Sequence, residues 1–233
     1  KGFMTYDFFL PGLLIDAFDR QDATTLKGWI GDLLGKGIRT VNMLGCHDGI
    51  PLLDLKGLLD EERIQALIDT IKGRGGYVKD LHGAKNIYYQ VNATYYSALG
   101  DSDARMLLAR AIQLFMPGKP QVWYLDLFAG RNNHAAVEKA GSGGHKEINR
   151  TNLSPDDVAA GLLQPVVQRQ LELLRFRNTF GAFGFDASCE VAVTPADQLR
   201  ITWSKNGNTA TLMADLTATS FVITATDPGG VEL

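Results

Sequence analysis

Residues 40–50 read Thr-Val-Asn-Met-Leu-Gly-Cys-His-Asp-Gly-Ile. A short β-branched and apolar run leads into a glycine, then into an imidazole beside a carboxylate, and leaves through a second glycine. Such a run predicts a buried strand whose C-terminal tip carries the charged pair His47-Asp48. On its N-terminal side, Leu26, Trp29, Ile30, Leu33 and Leu34 recur at helical spacing, and Gly35 to Gly37 stop that helix before the strand begins. Further upstream the aromatic stretch Gly2 to Phe9 predicts another strand, followed by helical spacing at Leu13, Leu14, Ala17 and Phe18.

Downstream of Asp48, residues 49–100 are too long for a connection of a few residues and are expected to be an insertion with its own structure. It holds a helix with Ile64, Leu67, Ile68 and Ile71 on one face behind the acidic turn Asp60-Glu61-Glu62. Gly73 to Asn92, rich in glycine and tyrosine, reads as a mobile lid over a pocket. Ser102 is the predicted cap of a helix through Leu107, Ala111, Leu114 and Phe115, and Gln121 to Leu125 is the predicted third strand. Ser154-Pro155-Asp156-Asp157 opens a helix that Pro165 kinks or splits. Beyond Phe185 the period changes to two, in Leu199-Ile201-Trp203 and Ala210-Leu212-Ala214, with Asn206-Gly207 as a hairpin turn.

Three predicted strands therefore alternate with helices, and charge sits at a strand tip, which is where a (β/α)8 barrel builds its mouth. Three strands do not close a barrel. The expected fold is α/β: the last three βα units of a (β/α)8 barrel over residues 1–183, with the lid-like insertion at about 49–100, then a small antiparallel β domain over 184–233. Lys1-Gly2-Phe3 resembles neither an initiator nor a signal peptide, so the start is expected to be internal to a longer chain.

Composition narrows the class. The 233 residues are 45% hydrophobic, enough for one sizeable core, and the net charge of −3 comes from interspersed charges with no basic run. Nucleic acid and membrane are poor partners for such a surface, and no stretch approaches the roughly 18 apolar residues of a membrane span. Cys46 and Cys189 form neither a disulfide framework nor a metal-ligand spacing, which fits a reducing cytoplasm. Cys46 is read as a buried, inert thiol rather than a reactive one.

A carboxylate at a strand tip beside an imidazole can hold vicinal sugar hydroxyls and stabilise positive charge at a neighbouring carbon. The same pair can equally be a loop salt bridge, and the residues alone leave both readings open.

Residues 40–50 resemble the last strand motif of the α-amylase superfamily, which ends in His-Asp. Tyr89-Gln-Val-Asn-Ala-Thr-Tyr-Tyr96, Ala109-Arg-Ala-Ile-Gln-Leu-Phe115, Pro117-Gly-Lys-Pro-Gln-Val-Trp-Tyr124, Ala129-Gly-Arg-Asn132 and Glu147-Ile-Asn-Arg150 are similar, in order and spacing, to the sucrose phosphorylase group within it. The similarity runs from about Phe3 to Phe183. It implies a retaining phosphorylase that exchanges an α-glucoside and inorganic phosphate for α-glucose 1-phosphate, with no cofactor and no metal.

Carried over residue by residue, the resemblance makes Asp48 the transition-state stabiliser and His47 a second contact to the same glucose. Arg150 fixes the far side of the ring, and Tyr89 and Gln90 line the acceptor side. Without the resemblance, Tyr89 is a packing aromatic, Gln90 a turn residue and Arg150 a partner of Glu147. The group's nucleophile and general acid lie on strands that precede the one containing Phe3. Asp7 and Asp16 are therefore read as structural, and the 233 residues alone are expected to be inactive, their partner being the remainder of the catalytic domain. Where sucrose phosphorylases carry an aspartate two positions before the loop tyrosine, this chain has Ile87, which weakens plain sucrose. His82, Lys79 and Lys85 suit an anionic acceptor, as in relatives that act on sucrose 6-phosphate or glucosylglycerate, or else form a solvated basic loop. A hydrolase or transglucosidase of the same superfamily, and a non-catalytic sugar-binding piece, stay open as alternatives.

Overall fold

The computed structural model describes residues 3–80 and 88–230. Strand β1 (Thr5–Asp7) runs parallel to β2 (Thr40–Asn42), with Tyr6 opposite Val41. Two helices connect them, α1 (Leu10–Arg20) and α2 (Thr24–Gly35). Asp7 closes β1 and starts α1: its Oδ1 accepts the backbone N–H groups of Phe9 (3.1 Å) and Leu10 (3.2 Å), and its Oδ2 accepts the Trp29 indole N–H (3.2 Å). Burial nonetheless pushes this carboxyl above the usual range. Leu26, Ile30 and Leu33 turn the inner face of α2 onto α1.

The chain then leaves the parallel sheet. Strand β3 (Ile50–Pro51) is followed by α3 (Glu61–Gly73), whose first turn is capped by Asp60 accepting from Arg63 N–H at 2.8 Å. The Arg63 guanidinium also clamps Asp16 of α1 in a half-buried ion pair, which ties the insertion to the helix behind β1. Strands β4 (Tyr77–Asp80) and β5 (Tyr88–Asn92) complete an antiparallel sheet in the order β3-β5-β4. Residues 77–80 and 88–92 of the segment read as a lid are thus sheet strands. Residues 81–87 lie outside the described residues.

After the short α4 (Tyr95–Ala98), helix α5 (Asp103–Phe115) returns beneath the parallel sheet, with Ser102 capping Arg105 N–H as its sequence position predicts. Its last eight residues are all buried. Strand β6 (Lys119–Pro120) pairs parallel to β2, with Val41 opposite Lys119.

The third strand is therefore earlier and shorter than the predicted Gln121–Leu125. Only Gln121 continues the pairing, donating to Asn42 C=O at 2.8 Å, and Tyr124–Leu127 then forms α6. A four-residue apolar run has no periodicity to separate strand from helix, and here the local bonds from Asp126 and Leu127 N–H to Trp123 C=O decide it.

Helices α7 (His134–Ala140), α8 (Pro155–Gly161) and α9 (Pro165–Thr179) follow, with a 3-10 turn at Gly144–Asn149 between the first two. Ser154 and Asp157 form a reciprocal capping box, and Pro165 splits the predicted helix by opening α9. The remaining strands, β7 (Ser188–Val191), β8 (Gln198–Lys205), β9 (Asn208–Asp215) and β10 (Ser220–Thr226), make an antiparallel sheet in the order β10-β9-β8-β7. Asn206 and Gly207, both at positive φ, turn β8 into β9.

The inner face of this sheet, Leu199, Ile201, Trp203, Ala210, Leu212 and Ala214, is buried in the same core as the helices. Trp203 donates its indole N–H to Phe115 C=O at 2.8 Å, and Arg177 of α9 stacks over Phe183 and Trp203. Among the described residues, no helix is long and apolar enough to cross a membrane.

Candidate active site

The loop that leaves β2 is held by its backbone. Gly45 N–H donates to Asp126 Oδ2 of α6 at 2.8 Å. Cys46 C=O accepts from Asn149 Nδ2 (2.7 Å), His47 C=O from Arg150 Nε (2.9 Å), and Asp48 C=O from Asn92 Nδ2 of β5 (2.7 Å). Four consecutive residues are thereby fixed by side chains from α6, from the turn after α7 and from the insertion.

Both flanking glycines are required by this packing. A Cβ on Gly45 would sit 2.8 Å from an Asp126 carboxylate oxygen, and one on Gly49, whose φ is +107°, would meet Val91 O at 2.6 Å. The Cys46 sulfur lies inside the loop, 3.4 Å from Asp48 N and 3.6 Å from Gly49 O, and burial raises its thiol.

Held this way, the loop turns Asp48 into a cluster of cations. Asp48 Oδ1 lies 2.5 Å from Lys146 Nζ and 3.5 Å from Arg150 Nη2, and its Oδ2 lies 3.2 Å from His47 Nε2. The hydrogen bond and charge of Lys146, with smaller contributions from His47 and Arg150, hold the carboxyl below its usual range. Asp48 is thus an ionised, oriented carboxylate that remains half-exposed and open to a ligand. Trp123 walls one side, its ring 6.0 Å from that of His47 and 4.5 Å from that of Tyr124.

His47, Asp48 and Arg150 come together. Arg150 does keep Glu147 as a partner, at 3.9 Å, beside its bonds to the loop. Gln90 is buried within β5 rather than in a turn, and it pairs with Pro51 three residues after Asp48. Tyr89 lies on the same strand. His82, Lys85 and Ile87 lie outside the described residues, and Lys79 is on β4.

Lys146, Asn149, Asn92, Asp126 and Trp123 were not singled out from the sequence. Lys146 and Asn149 adjoin or sit inside the Glu147-Ile-Asn-Arg150 motif. A cation directly before that motif, four positions ahead of its arginine, was the available signal. Asp126 left none, since one carboxylate in a helical turn resembles any other.

The site is thus a charged, half-exposed carboxylate beyond a parallel strand, in an α/β chain with an antiparallel sheet on the far side of its helices. No family model matches the chain. At the level of fold alone, it resembles α-amylase from H. orenii, with a TM-score of 0.53 at 13% identity over 92% of this chain and 39% of that one.

Closer likeness is narrower. Sucrose 6(F)-phosphate phosphorylase of Ilumatobacter coccineus is 53% identical over 100% of this chain and 46% of its own length. Glucosylglycerol phosphorylase of Marinobacter adhaerens is 36% identical over 95% of this chain and 46% of its own. The crystal structure of sucrose 6F-phosphate phosphorylase from Thermoanaerobacter thermosaccharolyticum superposes with a TM-score of 0.92, at 35% identity, over 100% of this chain and 46% of that one. The chain belongs to the sucrose phosphorylase group of the α-amylase superfamily, and it spans about half the length of the curated relatives it matches.

Proposed function

We propose that this chain is the C-terminal portion of a retaining glycoside phosphorylase that converts an α-glucoside and inorganic phosphate reversibly to α-glucose 1-phosphate. The observation that carries the reading is the Asp48 carboxylate, kept ionised by Lys146 and Arg150 and still half-exposed at the end of the loop after β2.

In this reading a preceding segment supplies the other strands of a (β/α)8 barrel, together with a nucleophilic carboxylate and a general acid about 5 to 5.5 Å apart. The nucleophile bonds to the anomeric carbon while the acid protonates the departing sugar oxygen. A phosphate oxygen then displaces the nucleophile, its proton passes to the same second carboxylate, and configuration is retained. Asp48 grips the hydroxyl next to the reacting carbon and offsets the positive charge that develops there. His47 and Arg150 hold the same glucose, and Tyr89 and Gln90 line the acceptor side. Residues 1–183 belong to the barrel and 184–233 to a β domain. Two free cysteines suit a cytoplasmic location.

The names of the relatives favour sucrose 6-phosphate as the glucoside, with His82, Lys79 and Lys85 as candidates for its phosphate. The test is release of glucose 1-phosphate by the whole natural polypeptide carrying these residues, with sucrose, sucrose 6-phosphate and glucosylglycerate each supplied with and without orthophosphate. Phosphate-dependent glucose 1-phosphate is expected from sucrose 6-phosphate. Glucose released at the same rate without phosphate would make the enzyme a hydrolase instead.

A further inference from the structure

Behind the loop lies a network of buried polar side chains. Arg110 of α5 is fully buried, donates through Nε to Gln170 Oε1 of α9 at 2.9 Å, and donates through Nη1 to Gln113 Oε1. Gln170 Nε2 donates back to Asp126 C=O (3.2 Å) and Leu127 C=O (2.9 Å). Gln113 Nε2 donates to Asn42 C=O of β2 (3.2 Å) and Gln121 C=O (2.9 Å). Asp126 is 1% exposed, and one of its oxygens is spent on Gly45 N–H. Its other oxygen and Arg110 Nη2 are both buried with no hydrogen-bond partner. A buried network left partly unpaired is costly, so it is a poor way to gain stability alone.

We infer that Asp126 is a positioning residue, which sets the conformation of the Gly45–Asp48 loop from behind and couples it to pH through its own charge. The inference rests on the glycoside-processing role given to Asp48. As a carboxylate, Asp126 accepts the Gly45 N–H in a charge-assisted bond at the first residue of the loop, three positions before Asp48. Protonation weakens that bond and frees the glycine from its anchor. The titratable groups that face Asp126 are Arg110 from α5, Tyr95 from α4 and Cys46 from the loop itself. Desolvation raises Asp126 to about 6, outweighing Arg110 and the backbone N–H groups of Gly45 and Tyr95, which favour the anion; that value is within the range where enzymes are assayed.

The sign separates positioning from stability. The folded-state value lies above the ordinary carboxylate value of 3.8, so Asp126 lowers stability as pH rises from about 4 to about 6 and adds none on acidification past that window. Activity lost between pH 7 and 5 without loss of thermal stability would therefore report the loop.

The experiment follows the Gly45 amide in the 15N-glycine-labelled whole polypeptide between pH 5 and 8, together with kcat and KM, in the unaltered protein and in Asp126→Asn. The expected result is a Gly45 titration with a midpoint near 6 that matches an acid limb in kcat. In Asp126→Asn both should flatten, with kcat lower by about 10- to 100-fold, as a displacement of up to about 1 Å costs. A Gly45 amide that does not move across this range overturns the inference. So does a folded Asp126→Asn with unaltered kcat and acid limb. If Asp126→Asn does not fold, the titration of the unaltered protein decides. If no glucoside is turned over, that failure belongs to the proposed reaction, and the amide still decides whether Asp126 governs the loop.

Discussion

Lys146 and Asp48, 98 positions apart in the chain, meet with Nζ 2.5 Å from Oδ1. Arg150 approaches the same oxygen, and His47 the other. A carboxylate so surrounded is oriented before any ligand arrives, because contacts to both oxygens fix its plane while Lys146 and Arg150 hold its charge. Replacing Lys146 by Met should let the Asp48 carboxyl rise toward its ordinary value and swing free. In the whole polypeptide, kcat/KM for the glucoside should fall at least about tenfold, equivalent to about 1.4 kcal/mol of transition-state stabilisation. Thermal stability should change little, since a pair this exposed contributes on the order of 0 to 1 kcal/mol. An unchanged kcat/KM would remove Lys146 from the site.

Asp48→Asn asks what the charge itself does. The amide keeps the shape and loses the anion, so ground-state binding should weaken modestly while kcat drops by about 10²- to 10³-fold, as for removal of one preorganised electrostatic group. The loop should hold, because its anchors at Gly45, Cys46, His47 and Asp48 are backbone groups. Steady-state kinetics beside a thermal melt would check both halves. A kcat within a factor of two of the parent would end the stabiliser role.

Much of this site could be read from the chain because its principal parts are compact motifs. His47-Asp48 sits beyond a β-branched run and Arg150 ends a short motif; the residues alone left a loop salt bridge and a Glu147 partner open, and it was the family resemblance that joined the three. Helices α2, α3 and α5 were equally legible, each with an apolar face at regular spacing and, for the last two, a capping side chain. What was missed is non-local. The bonds from Asn149 to Cys46 and from Asp126 to Gly45 join residues 103 and 81 positions apart, and nothing in either residue's neighbourhood announces its partner. The strand predicted at Gln121–Leu125 failed for a local reason: Pro120 and a short apolar run fit an edge strand and a helix start equally well. The strands of the insertion were hidden by the glycines around them.

Stability should respond to acid in two stages of opposite sign. Asp22, Asp48, Asp157 and Asp186 all lie below the ordinary carboxylate value, held there first by hydrogen bonds from Thr24, Lys146, Ser154 and Lys205 respectively. Their contribution is present above about 4 and is lost as pH falls through their lower folded values. Asp7 and Asp126 are raised by burial, so they favour the fold as pH falls toward 4. Urea midpoints should therefore hold or rise from pH 7 to 5 and then drop below pH 4. A steady decline from pH 7 downward would contradict this assignment of signs.

Two glycines with opposite surroundings test how β6 is fastened to β2. Gly118, just before β6, has φ of +115°, and a Cβ there would collide with the carbonyl and hydroxyl oxygens of Thr40 at the start of β2. The same Thr40 hydroxyl donates to Pro117 C=O at 2.8 Å, so the collision falls on a bond that holds the two strands in register. Gly118→Ala should cost at least about 2 kcal/mol, from a strained backbone and a displaced contact together. Gly28 lies within α2 with nothing inside 4 Å of its missing Cβ. Gly28→Ala should stabilise by about 0.4 to 1 kcal/mol, because alanine loses less chain entropy on entering a helix. Urea denaturation of the two variants in the same polypeptide gives the comparison. If Gly118→Ala matched or exceeded Gly28→Ala in stability, the close approach of residue 118 to Thr40 would be wrong, and with it the parallel register that sets β2, and hence Asp48, relative to β6.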